Sequence, residues 1–342
     1  MIDQDALPAR AASALLPPFP NGWYALAFSH ELKRGDVRPL TFAGREIVLY
    51  RTASGVAAAA DAYCPHLGAH LGYGGTVHGE CIRCPFHGFR YDLDGDCTLV
   101  PYGTKSPPLA RLPMLHVRES QGVVIAWHDG DDGAPAWAPP PLDTRGWSPL
   151  ITKEWSLRGH PQETTENSVD FGHFSQIHGY TDVETLSDAA VDGPYLTARY
   201  AMTRPKGLLG KPVRTEFEVH VWGLGYSRVE IRVPAFALRG RMFVLATPVD
   251  GMHIRLRVAF SLHGDVDGRA VPALRFVPQP IVNQIVARMT LRGAAQDVEQ
   301  DFVIWNHKRY VQPPILAAGD GPVGRYRHWA RQFYTATDAT RV

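Results

Sequence analysis

Four residues able to hold a metal lie on two short, similar stretches, Cys64-Pro-His66 and Cys84-Pro-Phe-His87. Each offers one thiolate and one imidazole beside a proline. Seventeen residues separate His66 from Cys84, enough for the chain to turn back on itself. Two such loops, closed on each other, present two sulfur and two nitrogen ligands to one centre. Tetrahedral zinc takes the same four ligands, but zinc spacings usually pair Cys with Cys and carry the histidines on a helix. Cys and His alternating on two turns suit instead a two-iron, two-sulfide cluster, with thiolates on one iron and imidazoles on the other. Neutral imidazoles raise the reduction potential above that of an all-thiolate cluster. Cys81, although part of Cys-Ile-Arg-Cys, breaks the loop pattern and reads as a small buried strand residue. His70 and His78 read as loop residues, and Cys97 as an ordinary buried cysteine in the following hairpin.

A second constellation follows in "ENSVDFGHFSQIHGY", which carries His173 and His178 and whose "SVDFGHFSQIHGY" reads as helical at its start. Five residues apart on a regular helix is about 140° out of register. Both histidines can serve one metal only if the helix ends or bulges between them. On spacing alone, the pair reads equally as surface or core histidines. A carboxylate must come from later in the chain, where "AAQDVEQDFVIWNHKRY" offers Asp297, Glu299 and Asp301. Asp297 and Asp301 are one helical turn apart, so geometry leaves both open.

The elements that must position these groups fall into two blocks, and the fold class is α+β. From Trp23 to about Trp127 the sequence reads as short strands and turns: "EIVLY" and "GVAAAA" around "TASG", a hairpin at "GFRYDLDGDCTLV", then "VVIAW". "HDGDDGAPAWAPPPLD" has linker composition. The later part places strands at "YLTARYAMTR", "TEFEVHVWGLGYSRVEIRVP", "GRMFVLATPVD" and "MHIRLRVAFSLHG", an antiparallel sheet. "PIVNQIVARMTLRGAAQDVEQDFVIWNHKRY" then reads as helix. The expected domains are an N-terminal segment over 1–20, a β domain over 21–130, a linker over 131–144 and a catalytic domain over 145–342.

Together, "CPHLGAHLGYG…CPFHGFRYD" and the Asn167-x2-Asp170-x2-His173-x4-His178 pattern closely resemble the Rieske non-haem iron oxygenases. "FPNGWY", "QDFVIWNHKRY" and "RYRHWARQFY" extend the resemblance along nearly the whole chain, toward a branch of 3-ketosteroid 9α-hydroxylase oxygenases and cholesterol 7-desaturases. Ala69 and Phe86 stand where respiratory Rieske subunits carry an extra disulfide. The resemblance implies a [2Fe–2S] cluster on Cys64, His66, Cys84 and His87, in an all-β Rieske domain. It implies a helix-grip-like catalytic domain with one Fe(II) on His173, His178 and a carboxylate, which leaves open positions for dioxygen. The family pattern of an Asp shortly before Ile-Trp-Asn selects Asp301, with Asp297 in reserve. It also makes Asp170 an electron-transfer bridge, bonded to His173 and to His87 of a neighbouring copy in a head-to-tail homotrimer.

The resemblance further implies a monooxygenase that hydroxylates or desaturates a hydrophobic, polycyclic, steroid-like substrate. Trp222, Tyr226, Phe236 and Phe243 are candidate pocket residues. Aromatic-ring or amine and alkaloid oxidation, ring dihydroxylation, a bare Rieske-type electron carrier and a structural zinc protein are the competing readings. No Gly-rich dinucleotide fingerprint is present, so electrons are expected from a separate NAD(P)H-dependent reductase or ferredoxin. A net charge of +1 over 342 residues gives no reason to expect a nucleic-acid partner. The chain has no apolar run long enough for a membrane span and no secretory leader. Four cysteines, three of them in one His-rich loop, point to metal binding and not to a disulfide framework, and a cytoplasmic address is expected.

Overall fold

The computed structural model describes residues 16–103, 105–205, 210–264, 266 and 276–335. Residues 1–15 of the expected N-terminal segment lie outside it. Between Gly22 and His128, ten short strands form three small antiparallel sheets. β1 (Gly22–Phe28) pairs with β10 (Val123–His128), and β10 with β9 (Val117–Ser120). β2 (Val37–Phe42), β3 (Arg45–Arg51) and β4 (Ala57–Asp61) make a second sheet, which contains the expected "EIVLY" and "AAAA" strands. β5 (Thr76–His78), β6 (Cys81–Arg83), β7 (Arg90–Tyr91) and β8 (Cys97–Leu99) make the third. The expected hairpin joins β7 to β8. It turns through Gly95 at φ 82°, where a Cβ would stand 2.1 Å from the Leu112 carbonyl oxygen, so only glycine fits.

The rest of the chain builds one seven-stranded antiparallel sheet, in the order β11-β17-β16-β15-β14-β13-β12. The expected strands are β13 (Tyr195–Arg204), β14 (Val213–Trp222), β15 (Tyr226–Val233), β16 (Leu238–Pro248) and β17 (His253–Leu262). The two edge strands, β11 (Ile151–Arg158) and β12 (Thr181–Asp192), escaped the sequence reading. Most of their residues are exposed or half-exposed, so neither shows the apolar alternation of a half-buried strand. Among the described residues, four α-helices complete the domain: α1 (Pro161–Glu166), α2 (Gly172–Gln176), the 27-residue α3 (Gln279–Trp305) and α4 (Val323–Ala330).

The pleat gives the large sheet two unlike faces. Trp222, Tyr226, Phe243 and Leu245 point to one side, where they share an apolar cluster with Trp23, Ile125 and Trp127 of the β1–β10 pair. Val219, Val229 and Ile231 point to the other, toward Val282 and Val286 of α3 and Trp329 of α4. Trp137, in the Pro-rich segment between the two parts, packs against the first cluster, and its carbonyl accepts a 2.6 Å bond from Trp23 Nε1.

One cation stitches the two parts. The pairing of β1 with β10 slips between Ala25 and Ala27, and the Ala25 and Leu26 carbonyls turn to Arg257 of β17. Arg257 donates to them from Nη1 at 2.7 Å and Nη2 at 2.8 Å, while Thr247 Oγ1 donates to Ala25 at 2.6 Å. Burial lowers the Arg257 pKa to about 10, partly offset by the charge of Glu154. Arg257→Met should therefore leave buried carbonyls unpaired and cost about 3 kcal/mol, read as an earlier urea midpoint with both parts loosening together.

Candidate active site: two metal centres

The two metal-binding loops have the same backbone design. The Cys64 amide donates to the Ala69 carbonyl and the Gly68 amide to the Cys64 carbonyl, each at 2.9 Å. In the other loop the Cys84 amide donates to Phe89 at 2.8 Å and the Gly88 amide to Cys84 at 3.2 Å. Gly68 and Gly88 both turn at φ 73°. Each tight turn thus buries its cysteine and brings its histidine to the tip. The His66 and His87 rings stand 4.7 Å apart, edge to face, and His66 stacks on Phe89 at 4.4 Å. Burial pushes the Cys64 thiol up, and the Tyr91 hydroxyl, 3.1 Å from its sulfur, works the other way.

These residues suit an iron–sulfur cluster. His87 Nδ1 is buried with no hydrogen-bond partner, an arrangement that a metal bond would satisfy and that is otherwise costly. Two buried thiols and two histidine tips converge, which is the donor set of a mixed Cys/His cluster. Cys81 and His78 sit apart, paired across β5 and β6, and Cys81 faces Thr98. Cys81 and Cys97 are half-buried where full burial was expected, because short strands of a small sheet cover them only partly. His78 ends β5 and is not a loop residue, whereas His70 stays in a loop, ringed by Tyr63 and Tyr73.

The second centre forms where α2 ends. The helix expected at the start of "SVDFGHFSQIHGY" lies to either side of it. The Phe171 amide pairs with the Asp320 carbonyl at 3.2 Å, which breaks the helical ladder after α1, and residues 167–169 form a turn. α2 carries His173 and closes with Ile177 donating to the His173 carbonyl at 2.8 Å. The chain then leaves the helix, and His178 swings back. The out-of-register spacing is resolved by a helix end, not a bulge.

His173, His178 and Asp301 now offer ligand atoms that all lie within 4.8 Å of one another. Each is held by a further contact. His173 Nδ1 bonds the Asp170 carbonyl at 2.6 Å, and His178 Nδ1 bonds Gln300 Oε1 at 2.9 Å, so both Nε2 atoms are free for a metal. Asn167 Nδ2 donates to Asp301 Oδ2 at 3.0 Å, and Asp301 Oδ1 faces His178 Nε2 at 3.6 Å. Burial raises the Asp301 pKa, opposed by the two histidines. A buried carboxylate facing two imidazoles fits a divalent iron, and three ligands leave room for dioxygen.

Asp297 is committed elsewhere. It accepts from Tyr180 OH at 2.8 Å and pairs with Arg204. Glu299 is on the solvent side, bonded to Lys153 at 2.6 Å and to Trp155. Asp170 lies beside His173, its Oδ2 3.6 Å from Nδ1 and its side chain about a third exposed. Burial alone would raise its pKa, but the bonds and charge of His173 hold it below the usual value.

A cavity of about 750 Å³ opens onto this triad. Of the four aromatic candidates only Phe236 lines it; Trp222, Tyr226 and Phe243 belong to the opposite face of the sheet. Sequence alternation could not say which face was which.

Comparison with known proteins completes the picture. Residues 22–114 match the Rieske [2Fe-2S] domain family, and residues 126–334 the family described as 3-ketosteroid 9alpha-hydroxylase C-terminal domain. The chain belongs to the Rieske non-haem iron oxygenases. It is 31% identical to a cholesterol 7-desaturase of Bombyx mori, over 95% of this chain and 72% of that one. It is 28% identical to a probable 3-ketosteroid-9-alpha-monooxygenase oxygenase component of Rhodococcus rhodochrous, over 95% and 83%. In fold it is similar to dicamba monooxygenase bound to dicamba, with TM-score 0.65 and 19% identity over 93% of this chain and 98% of that one. It is also similar to NdmA of Pseudomonas putida CBB5 with caffeine, with TM-score 0.69 and 16% identity over 90% and 89%.

Tyr91, Gln300, Tyr180 and Arg204 of this oxygenase went unforeseen. Each meets its partner only in the folded chain, and no spacing announces it. Asn167 was visible as a motif position but not as the support of Asp301. Asp301→Ala should lower iron from about three to about two per chain with acid-labile sulfide unchanged, whereas Asp297→Ala should keep all three. Metal and sulfide analysis of the purified variants reads this directly.

Proposed function

We propose that this oxygenase hydroxylates or desaturates an elongated, polycyclic, steroid-like substrate, using dioxygen and electrons from a separate reductase or ferredoxin. The observation that carries the reading is the cavity itself. Its lining residues on α3 include Val282, Val286, Met289, Gly293, Asp297 and Asp301. They recur every three to four positions, so the cavity follows one helix face. Val282 lies nineteen residues before Asp301, about 28 Å along the axis. Valine, isoleucine and leucine side chains of β14, β15 and β16 supply much of the opposite wall. A volume of about 750 Å³ is toward the upper end of small-molecule pockets. The sterol chemistry in the names of the two relatives points the same way.

Cys64 and Cys84, with His66 and His87, hold the cluster in this reading; His173, His178 and Asp301 hold the iron. Bound iron would supply the activation of dioxygen beside a substrate C–H bond. The protein's part is to orient both imidazoles through their Nδ1 atoms, to keep one carboxylate buried and to exclude bulk water with an apolar wall. Among the described residues, no hydrogen bond or ring contact joins the Cys/His loops to His173, His178 or Asp301. Leu67, Phe86 and Tyr102 are exposed beside the loops. Both facts support electron transfer between copies in a homotrimer, with Asp170 as the bridge from His87 of a neighbour. The unpaired Cys81 and Cys97 thiols suit a cytoplasmic address; no described helix is long and apolar enough to cross a membrane.

The test is a product screen of the reconstituted system with tetracyclic steroids and with smaller aromatic and amine substrates, under isotopically labelled dioxygen. One labelled oxygen in a steroid product, or a new steroid double bond, is expected. Turnover of the small substrates alone would overturn the reading. Gly293 sharpens the test, because a Cβ there meets nothing within 4 Å. Gly293→Leu should leave thermal stability unchanged or raised by replacing a helix glycine. It should lower kcat/KM for a tetracyclic substrate about tenfold or more.

Asp170→Asn should retain iron and sulfide, and its cluster should still be reduced, yet turnover should fall by about two orders of magnitude or more. Normal coupled turnover in this variant would remove Asp170 from the electron path.

A further inference from the structure

One guanidinium stands in the wall of the apolar cavity. Arg204, at the end of β13, is the one Arg or Lys among the described lining residues. Its Nη2 contacts both Tyr180 OH and Asp297 Oδ2, and its guanidinium lies over the Tyr180 ring, 4.9 Å from the centroid. Tyr180 OH in turn donates to Asp297 Oδ2 at 2.8 Å. An arginine has five donors, and among the described residues no protein acceptor meets Nε or Nη1 of Arg204. The other polar side chains of the wall are largely committed. Thr164, Thr165 and Thr290 donate to backbone carbonyls, and Asn167 donates to Asp301.

We propose that Arg204 is the specificity-determining residue of this cavity, donating its free N–H groups to a neutral carbonyl or hydroxyl oxygen on an otherwise apolar substrate. The inference rests on the polycyclic, steroid-like reading above and adds the residue that would meet an oxygen on such a substrate. Asp297 decides the charge of the group bearing that oxygen. It already balances the guanidinium in a partly buried ion pair, so a substrate carboxylate would have to compete with Asp297, whereas a ketone or alcohol only adds an acceptor. The position also sets regiochemistry. Asp297 precedes Asp301 by one helical turn, about 6 Å along the axis, so the oxygen is anchored near the iron end of the cavity. The attacked C–H bond then lies within a ring or so of it, not at the far apolar end. Tyr180, buried against Phe174 and Tyr200 in the same cluster, keeps the trio in place.

The test measures ligand binding, by calorimetry, to the metal-loaded protein without electron donor. The probes are a tetracyclic hydrocarbon, the same skeleton with one ketone, and the same skeleton with one carboxylate. Wild type should bind the ketone about 10- to 100-fold more tightly than the hydrocarbon. Arg204→Met should bring that ratio near one while leaving hydrocarbon affinity as it was. Asp297→Asn leaves the guanidinium unbalanced and should raise carboxylate affinity relative to ketone, a change that a purely structural pair would not produce. Arg204→Lys keeps the charge and guards against a misfolded Arg204→Met; it should show an intermediate ratio. Equal binding of ketone and hydrocarbon by the wild type, or a ratio unmoved in both folded Arg204 variants, would overturn the anchor and leave the steroid reading standing. Failure of every tetracyclic probe to bind the wild type would overturn that reading, and the anchor with it.

Discussion

Asp301 facing His178 across 3.6 Å, with Asn167 bonded to its other oxygen, is the contact on which the rest of the catalytic domain depends. A carboxylate buried this deeply is unfavourable alone. It is tolerable because two imidazoles and an amide converge on it. Those partners come from a turn and a short helix more than 120 residues earlier. The long helix α3 must therefore lie along the sheet in one register, or the carboxylate misses the histidines. The turn at residues 167–169 must in turn break the ladder between α1 and α2, so that Asn167 and His173 face the same point.

The same placement creates the substrate space. α3 and the apolar face of the sheet line the cavity from opposite sides, and Gly293 leaves part of it open. The sheet is shared between two tasks. Its opposite face is dry and aromatic, packed on the β1–β10 pair and locked by Arg257 reaching the carbonyls that the slip in β1 leaves free. One sheet thus ties the Rieske domain to the wall of the cavity, and among the described residues no hydrogen bond or ring contact joins the two metal sites.

Much of this was legible in the residues. The Cys/His loops could be picked out because tight turns with fixed ligands leave a local signature: Cys, Pro and His at short spacing, with Gly68 and Gly88 completing the symmetry. Five strands of the large sheet were legible as short apolar and β-branched runs between turn signals, and α3 as a long run with few breakers whose apolar residues spread around the helix. The edge strands β11 and β12 were not, because a strand with little buried surface has no period to show. The segment around Asp170 misled, because its helical tendency lost to one backbone bond from Phe171 to the distant Asp320 carbonyl.

The sequence by itself determined the chemistry: which thiols and imidazoles can share a cluster, and that two histidines five apart need a helix to end or bulge between them. Local spacing encodes such constraints, since every atom involved lies within a turn or two of chain. Helix geometry left Asp297 and Asp301 open and the family resemblance selected Asp301; the tertiary structure supplies the physical difference, which is what the fold sets opposite each. Arg204 and Tyr180 stand opposite the first, and His178 and Asn167 opposite the second. The tertiary structure alone decided that Phe236 faces the cavity while Trp222, Tyr226 and Phe243 face the neighbouring domain. Alternation tells two faces apart, but only packing says which of them meets what.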